Sequence, residues 1–147
     1  MGLFQSFDIS ASGMTAERFR IDVIAENVAN VNTTRTESGE PYRRKIVTFA
    51  EKKVTPFTDV LARSRQAYLG NGVKVSHVTE DEENDFVMEY DPSHPDADEN
   101  GYVSYPNVNI VTEMTNLIDA SRGYEANTTA FEAAKSLATT GLSIGKG

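Results

Sequence analysis

The feature that most constrains the fold is a helical pattern over about the last forty residues, in which no proline follows Pro106. Between Ile110 and Leu142 the bulky apolar residues recur at steps of three, four or seven, which places them in a narrow seam along one side of a helix. The pattern predicts a helix that extends to about Ile144, with Asn109 as its N-cap. At 1.5 Å per residue its length would be on the order of 50 Å, more than a chain of this size needs for its own core.

Outside the seam, the surface of this helix is unusual for one that faces only water. Sixteen of the thirty residues from Thr112 to Gly141 are Ala, Ser, Thr or Gly, whereas a solvated helix more often carries Lys and Glu. Small residues let neighbouring backbones approach closely on several sides. We therefore expect several neighbours around this helix. The alternative is a single antiparallel helical hairpin whose exterior makes no specific contacts with neighbours.

A second long helical pattern covers Phe4 to Val31, where apolar residues again recur at threes, fours and sevens. Gly13 lies inside it and costs about 1 kcal/mol relative to Ala, so this helix should not be stable alone. Two seams at opposite ends of one chain suggest that the helices pair, parallel or antiparallel, and that neighbouring subunits supply the missing contacts. We expect Ala and Thr positions to face those neighbours. Within the chain, we expect Met114, Leu117, Tyr124 and Phe131 to face Ile21, Ile24 and Val28.

Between the helices the pattern changes to the alternation that is typical of strands. Residues 42–50, 72–78 and 85–90 are strand candidates, and a Gly-Asn-Gly turn precedes the second. Residues 55–69 fit either a short helix or an ordered loop, and the structure of residues 51–70 is left open. The expected fold class is α+β, with long N- and C-terminal helices paired as a coiled coil and a small antiparallel β-rich middle domain.

Composition excludes several classes of function. The chain has 147 residues, no cysteine, and 14 basic against 22 acidic residues, for a formal charge of −8. Without cysteine there is no disulfide, thiolate nucleophile or cysteine metal site, and the negative charge disfavours nucleic acid and anionic lipid as partners. No apolar stretch is long enough to span a bilayer. Residues 1–17 lack Lys and Arg, and Asp8 interrupts the apolar run, so no cleavable secretion signal is expected.

One stretch has the opening spacing of a calcium-binding EF-hand loop, with Asp96, Asp98, Asn100 and Gly101. The twelfth position of such a loop is Asn107 here, in place of the bidentate Glu. Nearby prolines also prevent the flanking helices from fitting closely. The pattern therefore favours an acidic surface turn over a calcium site.

No catalytic constellation is present in the sequence. The two histidines, His77 and His94, accompany no nucleophile, phosphate-binding or dinucleotide-binding motif. Arg43, Arg44 and Lys45 form one basic cluster, which we interpret as a solvated or subunit-facing strand start instead of a phosphate site. We expect no enzymatic activity, no metal and no cofactor.

Several separate motifs then carry a family resemblance. Ile24–Thr36 resembles the Asn-rich signature near the start of bacterial flagellar rod and hook proteins, and Ala120–Asn127 is similar to the matching C-terminal signature. Within that family, the similarity is to the proximal rod proteins, and it covers about Gly2 to Lys146. The motifs that carry this finer similarity are Pro41–Lys45, Tyr90–Asp98, Gly101–Val103 and Pro106–Asn109.

The resemblance implies a structural subunit of the flagellar basal-body rod, which would assemble with related axial proteins around a central export channel and transmit motor torque. It implies that residues 1–31 and 106–147 are inner-core helices and that residues 32–105 form an outward-facing β-rich domain. The implied location is the periplasmic rod in the cell envelope, reached through the flagellar type III export apparatus without a cleaved signal. The implied partners are other rod proteins, copies of this chain and the export apparatus.

Assembly of this kind requires an interface on the terminal helices. One departure from the family pattern concerns Gly123, which stands where related proteins often carry a larger residue and would loosen the helix locally. The expected interface residues are Phe7, Met14, Ile21, Ile24, Asn27, Val28, Asn30, Met114, Leu117, Tyr124, Asn127, Ala130, Phe131 and Ala134.

Overall fold

The structure is a computed structural model that describes residues 3–52 and 70–145. Within these residues, two long helices flank four short strands, which confirms the α+β class. The undecided segment 55–69 lies outside the described residues. The elements in chain order are α1 (Leu3–Ala29), β1 (Lys45–Glu51), β2 (Val73–Glu80), β3 (Val87–Tyr90), β4 (Tyr102–Tyr105) and α2 (Ile110–Ile144).

Helix α2 begins and ends where the sequence predicted. The Asn109 Oδ1 atom accepts hydrogen bonds from the backbone N–H groups of Val111 at 3.0 Å and Thr112 at 3.1 Å. These two groups belong to the first turn, where a helix has no backbone acceptor for them. The N-cap prediction is therefore confirmed, and the helix runs to Ile144 without a break.

The strands form two separate two-stranded sheets where the sequence predicted one. Strand β1 pairs with β2, and its ladder continues beyond the strand end through the Lys52 N–H, which donates to the Gly72 carbonyl at 2.9 Å. Strand β3, the third expected strand, instead pairs antiparallel with β4, in a register that places Tyr90 opposite Tyr102. The expectation of a single sheet was wrong because β4 has only four residues, too few for an alternating pattern to be recognised.

The chain forms two compact units. The first unit comprises Met1–Phe19, Phe49–Ser76 and Ala120–Gly147, and the second comprises Arg20–Thr48 and His77–Asp119. In the first unit the most buried apolar side chains are small, namely Ala16 and Ala120. The second unit buries larger ones together with polar groups: Val23, Ile24, Tyr42, Val103 and Val108, with Asn27, Asp81 and Glu113.

The orientation of the helices, which the sequence left open, is antiparallel in the first unit. The ring of Phe7 lies 4.9 Å from that of Phe131, between centroids, while Glu17 further along α1 contacts Gly123 further back along α2. As one residue number rises, the other falls. The two helices therefore run in opposite directions where they pack.

Candidate assembly interface

Within the first unit, two of the predicted interface residues, Phe7 and Phe131, contact each other across the helices. The Phe7 and Phe131 rings are tilted by 56° at 4.9 Å, an arrangement that aromatic pairs prefer. The prediction that Phe131 faces Ile21, Ile24 and Val28 is wrong. Ile21 lies fourteen residues beyond Phe7 in α1, on the order of 20 Å along the helix axis. Periodicity alone did not fix the axial position of Phe131 along the partner helix.

At Gly13 the two helices approach each other closely. A Cβ atom at this position would lie 2.4 Å from Oδ1 and 2.7 Å from Cγ of Asn127. The Asn127 side chain is held there because its Nδ2 donates to the Gly123 carbonyl at 2.8 Å. The Thr128 hydroxyl next to it donates to the sulfur of Met14 at 3.4 Å. Gly13 therefore makes room for the partner helix instead of merely weakening its own.

Gly123 has the reciprocal role in α2. A Cβ atom there would lie 3.1 Å from Cδ and Oε1 of Glu17, closer than most van der Waals contacts. The absence of a side chain thus admits Glu17 from α1. We expected Gly123 to loosen the helix, but helix α2 is continuous through this position.

In the second unit, Asn27 is the centre of a buried polar network, with 1% of its surface exposed. Its Nδ2 donates to the Lys45 carbonyl at 2.9 Å and to Oε2 of Glu113 at 3.0 Å. Its Oδ1 accepts from the Tyr42 hydroxyl and from the Lys45 N–H, both at 2.9 Å. All four hydrogen-bonding positions of the amide are therefore used, and they connect α1 to the start of β1 and to α2.

The network continues through Arg44, which sequence reasoning placed in a solvated or subunit-facing cluster. Its Nε and one terminal nitrogen contact Oε1 of Glu113, both at 2.8 Å, and Glu113 is fully buried. The other terminal nitrogen lies 3.4 Å from Oδ2 of Asp81. Because the Arg44 side chain is only 21% exposed, the solvated interpretation was wrong for this residue. Sequence reasoning also did not identify Glu113 or Asp81, since no local motif links them to Arg44.

Asn107 joins the same network from the segment before α2. Its Oδ1 accepts from the Arg44 N–H at 2.8 Å, and its Nδ2 donates to the Asp81 and Asn84 carbonyls, each at 2.9 Å. In the sequence, Asn107 stands out only as the twelfth position of the calcium-loop pattern. In the structure its amide bonds the backbone of Arg44, Asp81 and Asn84 and so connects three segments of the unit.

The network shifts the titration of two of its members in opposite directions. Burial raises the pKa of the Tyr42 phenol well above its ordinary range, and the carboxylates of Glu26, Glu113 and Glu80 raise it further. The phenol therefore remains protonated and able to donate to Asn27. The pKa of Asp81 is lowered, chiefly because its carboxylate accepts a hydrogen bond from the Asn84 side chain and another from Arg44.

The predicted interface residues differ in how accessible they are. Ile24 and Asn27 are buried within the second unit, so their side chains support the surface and do not form it. Met114, Tyr124 and Ala130 are exposed. The others are partly buried: Phe7, Met14, Ile21, Val28, Asn30, Leu117, Asn127, Phe131 and Ala134.

Helix α2 exposes more apolar surface than the sequence analysis anticipated. In the second unit, Ile110, Met114 and Ile118 follow one another at steps of four, and Val111 beside them is 76% exposed. In the first unit, Leu137, Leu142 and Ile144 are each at least 70% exposed. Ile118, Val111 and Leu137 were not among the predicted interface residues because they lie outside the expected seam. Contiguous apolar surface of this kind marks a site of protein association.

The candidate calcium loop is closed by its own hydrogen bonds. Asp98 Oδ1 accepts from the backbone N–H groups of Asn100 and Tyr102, both at 2.8 Å. Asp96 Oδ2 accepts from the Thr34 hydroxyl at 2.9 Å. Over residues 3–52 and 70–145, no group of three or more His, Asp or Glu side chains is placed to hold a metal ion. The arrangement is that of an acidic turn.

The two histidines lie in different parts of the second unit. His77 lies in β2, while Nδ1 of His94 accepts a hydrogen bond from the backbone N–H of Asp96 at 3.1 Å, within the acidic turn.

Within the part of the chain that the structure describes, neither helix is long and apolar enough to cross a membrane.

Comparison with known proteins places both chain ends in flagellar families. Residues 7–35 match the family "Flagella basal body rod protein", and residues 99–144 match "Flagellar basal body rod FlgEFG protein C-terminal". These two ranges contain most of α1 and all of α2. They also include the Gly13–Asn127 contact and, in the second unit, both Asn27 and Glu113.

Full-length relatives have the same description. The chain is 46% identical to "Flagellar basal-body rod protein FlgC" of Bacillus subtilis, over 99% of this chain and 100% of the relative. It is 43% identical to the protein of that name from Borreliella burgdorferi, over the full length of both. Against the Salmonella typhimurium protein of that name the identity is 38%, over 99% of this chain and 100% of the relative.

Proposed function

Because the chain belongs to the FlgC family of flagellar basal-body rod proteins and is a structural subunit of the rod, we propose that it packs with copies of itself and with related axial proteins around a central export channel. In this arrangement it transmits motor torque. A rod requires heterologous contacts, in which one surface of a subunit meets a different surface of the next, so that growth is not closed by a two-fold axis.

The observation that carries the proposal is the apolar surface that the two helices leave uncovered. Phe4 of α1 is 79% exposed, and in α2 the exposed side chains include Val111, Leu137 and Ile144. Burying a large apolar side chain stabilises an assembly by about 2 kcal/mol, so neighbouring helices supply what the single chain lacks. The small residues of α2, among them Ala130 and Ala134, permit close approach of those helices.

The proposed positions in the rod follow the three residue ranges expected from the sequence. Residues 1–31 and 106–147 form the inner core beside the channel, and residues 32–105 face outward. Of the predicted interface residues, the exposed Met114, Tyr124 and Ala130 contact neighbours directly. The buried Asn27 and Ile24 hold the helices in the conformation that those neighbours bind.

The proposed location is the periplasmic section of the rod, reached through the flagellar export apparatus without cleavage of a signal. Support comes from the relatives' description as basal-body rod proteins. Intact-mass measurement of the subunit from purified basal bodies tests the second part, since a cleaved signal would remove residues from the N-terminus. We further propose that the subunit catalyses no reaction.

Substitution by tryptophan tests the crowded inner layer. Ala130→Trp, and separately Ala134→Trp, should prevent rod assembly and abolish swimming, because neither position has room for an indole once neighbours pack against it. Glu37→Trp, in an exposed turn of the middle range, is the matched control and should assemble normally. Normal rods in both Ala130→Trp and Ala134→Trp would contradict the proposed packing.

A further inference from the structure

The first unit contains a groove between α1 and the start of β2, with a volume of about 410 Å³. Its apolar wall is formed by Ala16 and Phe19 of α1 and by Val73 and Val75 of β2. The two valines are alternate residues of a strand and therefore share one face. Phe19 is 40% exposed, although its side chain is large and apolar. The groove is therefore open at Phe19 and has room for an aromatic side chain.

The two hydroxyl groups that line this groove are already hydrogen-bonded within the unit. The Ser12 hydroxyl donates to the Ile9 carbonyl at 2.7 Å and accepts from the Val73 N–H at 3.1 Å. The Thr15 hydroxyl donates to the Ala11 carbonyl at 2.9 Å. Since both hydroxyl protons are in use, the groove favours an apolar side chain over one that would bury a polar group.

Two lysines give the groove a positively charged rim. Lys52 and Lys74 both line it, and both are exposed. The methylene groups of a lysine can lie along apolar surface while its ammonium group stays in water. An occupant that carries an apolar side chain and a carboxylate one helical turn apart would therefore suit both the apolar wall and the lysine rim.

The N-terminal turns of α1 carry such a pair. Phe4 is 79% exposed, and Asp8, four residues later on the same side of the helix, is also exposed. Among the exposed large apolar residues that the structure describes in the two helices outside the groove, only Phe4 has an exposed carboxylate three or four residues away. Residues 1–17 contain neither Lys nor Arg, so the lysine rim would repel no charge in this segment.

Phe4 cannot reach the groove of its own chain. Phe4 and Ala16 both belong to α1, which is continuous from Leu3 to Ala29. The twelve residues between their positions correspond to on the order of 18 Å along the helix axis, much more than the length of a phenylalanine side chain. A second copy supplies the same pair of residues without this constraint.

We propose that Phe4 and Asp8 of one copy dock into the groove of a neighbouring copy, with the Phe4 ring against the apolar wall and the Asp8 carboxylate at the lysine rim. Burial of the aromatic ring supplies most of the affinity, and the opposite charges select the orientation. Each copy offers one such segment and one such groove, so the contact can repeat from copy to copy. The inference rests on the proposed assembly function and assigns it a specific contact.

Reciprocal charge reversal tests this contact in whole cells. Asp8→Lys, and separately Lys52→Glu/Lys74→Glu, should each lower the number of rods per cell about tenfold, because like charges then meet in the groove. Combining the three substitutions should restore rods, since the attraction forms again with its sign reversed. A defect in folding or export caused by one substitution would not be repaired by another at a separate position. The control Glu37→Lys changes the charge equally in an exposed turn and should assemble normally.

Cross-linking identifies the partner, and the absence of native cysteine makes the reaction specific. Two copies with different size tags, one with Asp8→Cys and one with Lys74→Cys, are expressed together, and basal bodies are treated with a short bifunctional maleimide. A mixed dimer of the two copies is expected. With Glu37→Cys in place of Asp8→Cys no mixed dimer should form, because Glu37 lies outside the docking segment.

Three results would each overturn the inference. They are normal rods without a mixed dimer, a cross-link from Lys74→Cys to a different protein instead, and failure of the combined charge reversal to restore rods. Each of them would leave the rod function intact, whereas that function is tested separately by Ala130→Trp.

Discussion

The Asn27 side-chain amide donates a hydrogen bond to the Glu113 carboxylate at 3.0 Å, and both side chains are almost fully buried. The two residues are 86 positions apart in the chain. Their contact joins the last turns of α1 to the first turn of α2 in the second unit. A buried polar pair of this kind favours one axial register, because a shift of either helix leaves both groups unpaired.

The first prediction concerns Asn27 itself. Asn27→Ala should lower the free energy of unfolding by about 2–3 kcal/mol, because Glu113, Tyr42 and the Lys45 backbone each lose a buried hydrogen-bond partner. Urea unfolding followed by circular dichroism measures the change. Asn32→Ala, at an exposed position shortly after α1, is the control and should change stability by less than about 0.5 kcal/mol. Equal losses in both variants would show that the network contributes nothing specific.

The second prediction concerns the ion pair between Arg44 and Glu113, 2.8 Å apart. Arg44→Ala and Glu113→Ala should each cost about 3 kcal/mol, and the double variant should cost clearly less than their sum, because a lone buried charge is worse than none. Glu26→Ala removes the more exposed pair with Lys45 and should cost no more than about 1 kcal/mol. Strict additivity in the double-mutant cycle would contradict direct coupling.

The third prediction is a pH dependence that originates at Asp81. Its pKa is lowered in the folded state, so its contribution to stability is fully present above the ordinary value of about 3.9 and is lost as the pH falls through the folded value. Thermal unfolding should show a decline below about pH 4. Asp81→Asn should be less stable at neutral pH and change less between neutral and acidic conditions. Parallel curves for the two proteins would assign the acid loss to other groups.

The fourth prediction contrasts two glycines. Gly13→Ala should destabilise the protein by about 1–2 kcal/mol despite the better helix propensity of Ala, because the new methyl group displaces Asn127. Gly141→Ala, where nothing lies within 4 Å of the added Cβ, should instead be stabilising by up to about 1 kcal/mol. Thermal unfolding compares them. Adding Asn127→Ala to Gly13→Ala should recover part of the loss, and no recovery would place the clash elsewhere.

Local patterns in the sequence were sufficient for the helices. The 3.6-residue period, the proline before α2 and the Asn109 cap gave the bounds of both helices to within a few residues, because these signals act within one or two turns. The three strand candidates were also correct to within a few residues of their ends. Strand β4 was missed, since Tyr102–Tyr105 becomes a strand by pairing with β3 and not through its own pattern.

The tertiary structure decided what those patterns leave open. Periodicity shows which face of a helix is apolar but not which turn of the partner it meets, so only the fold could pair Phe131 with Phe7. For the same reason the sequence indicated only that Gly13 weakens its helix, whereas the fold places Asn127 against it. The sequence likewise predicted a solvated or subunit-facing position for Arg44, whereas the fold places Glu113 against it. The sequence alone determined that the chain has two long helices with more apolar and small surface than one molecule uses. Their orientation and register depend on contacts between residues far apart in the chain, which no local pattern encodes.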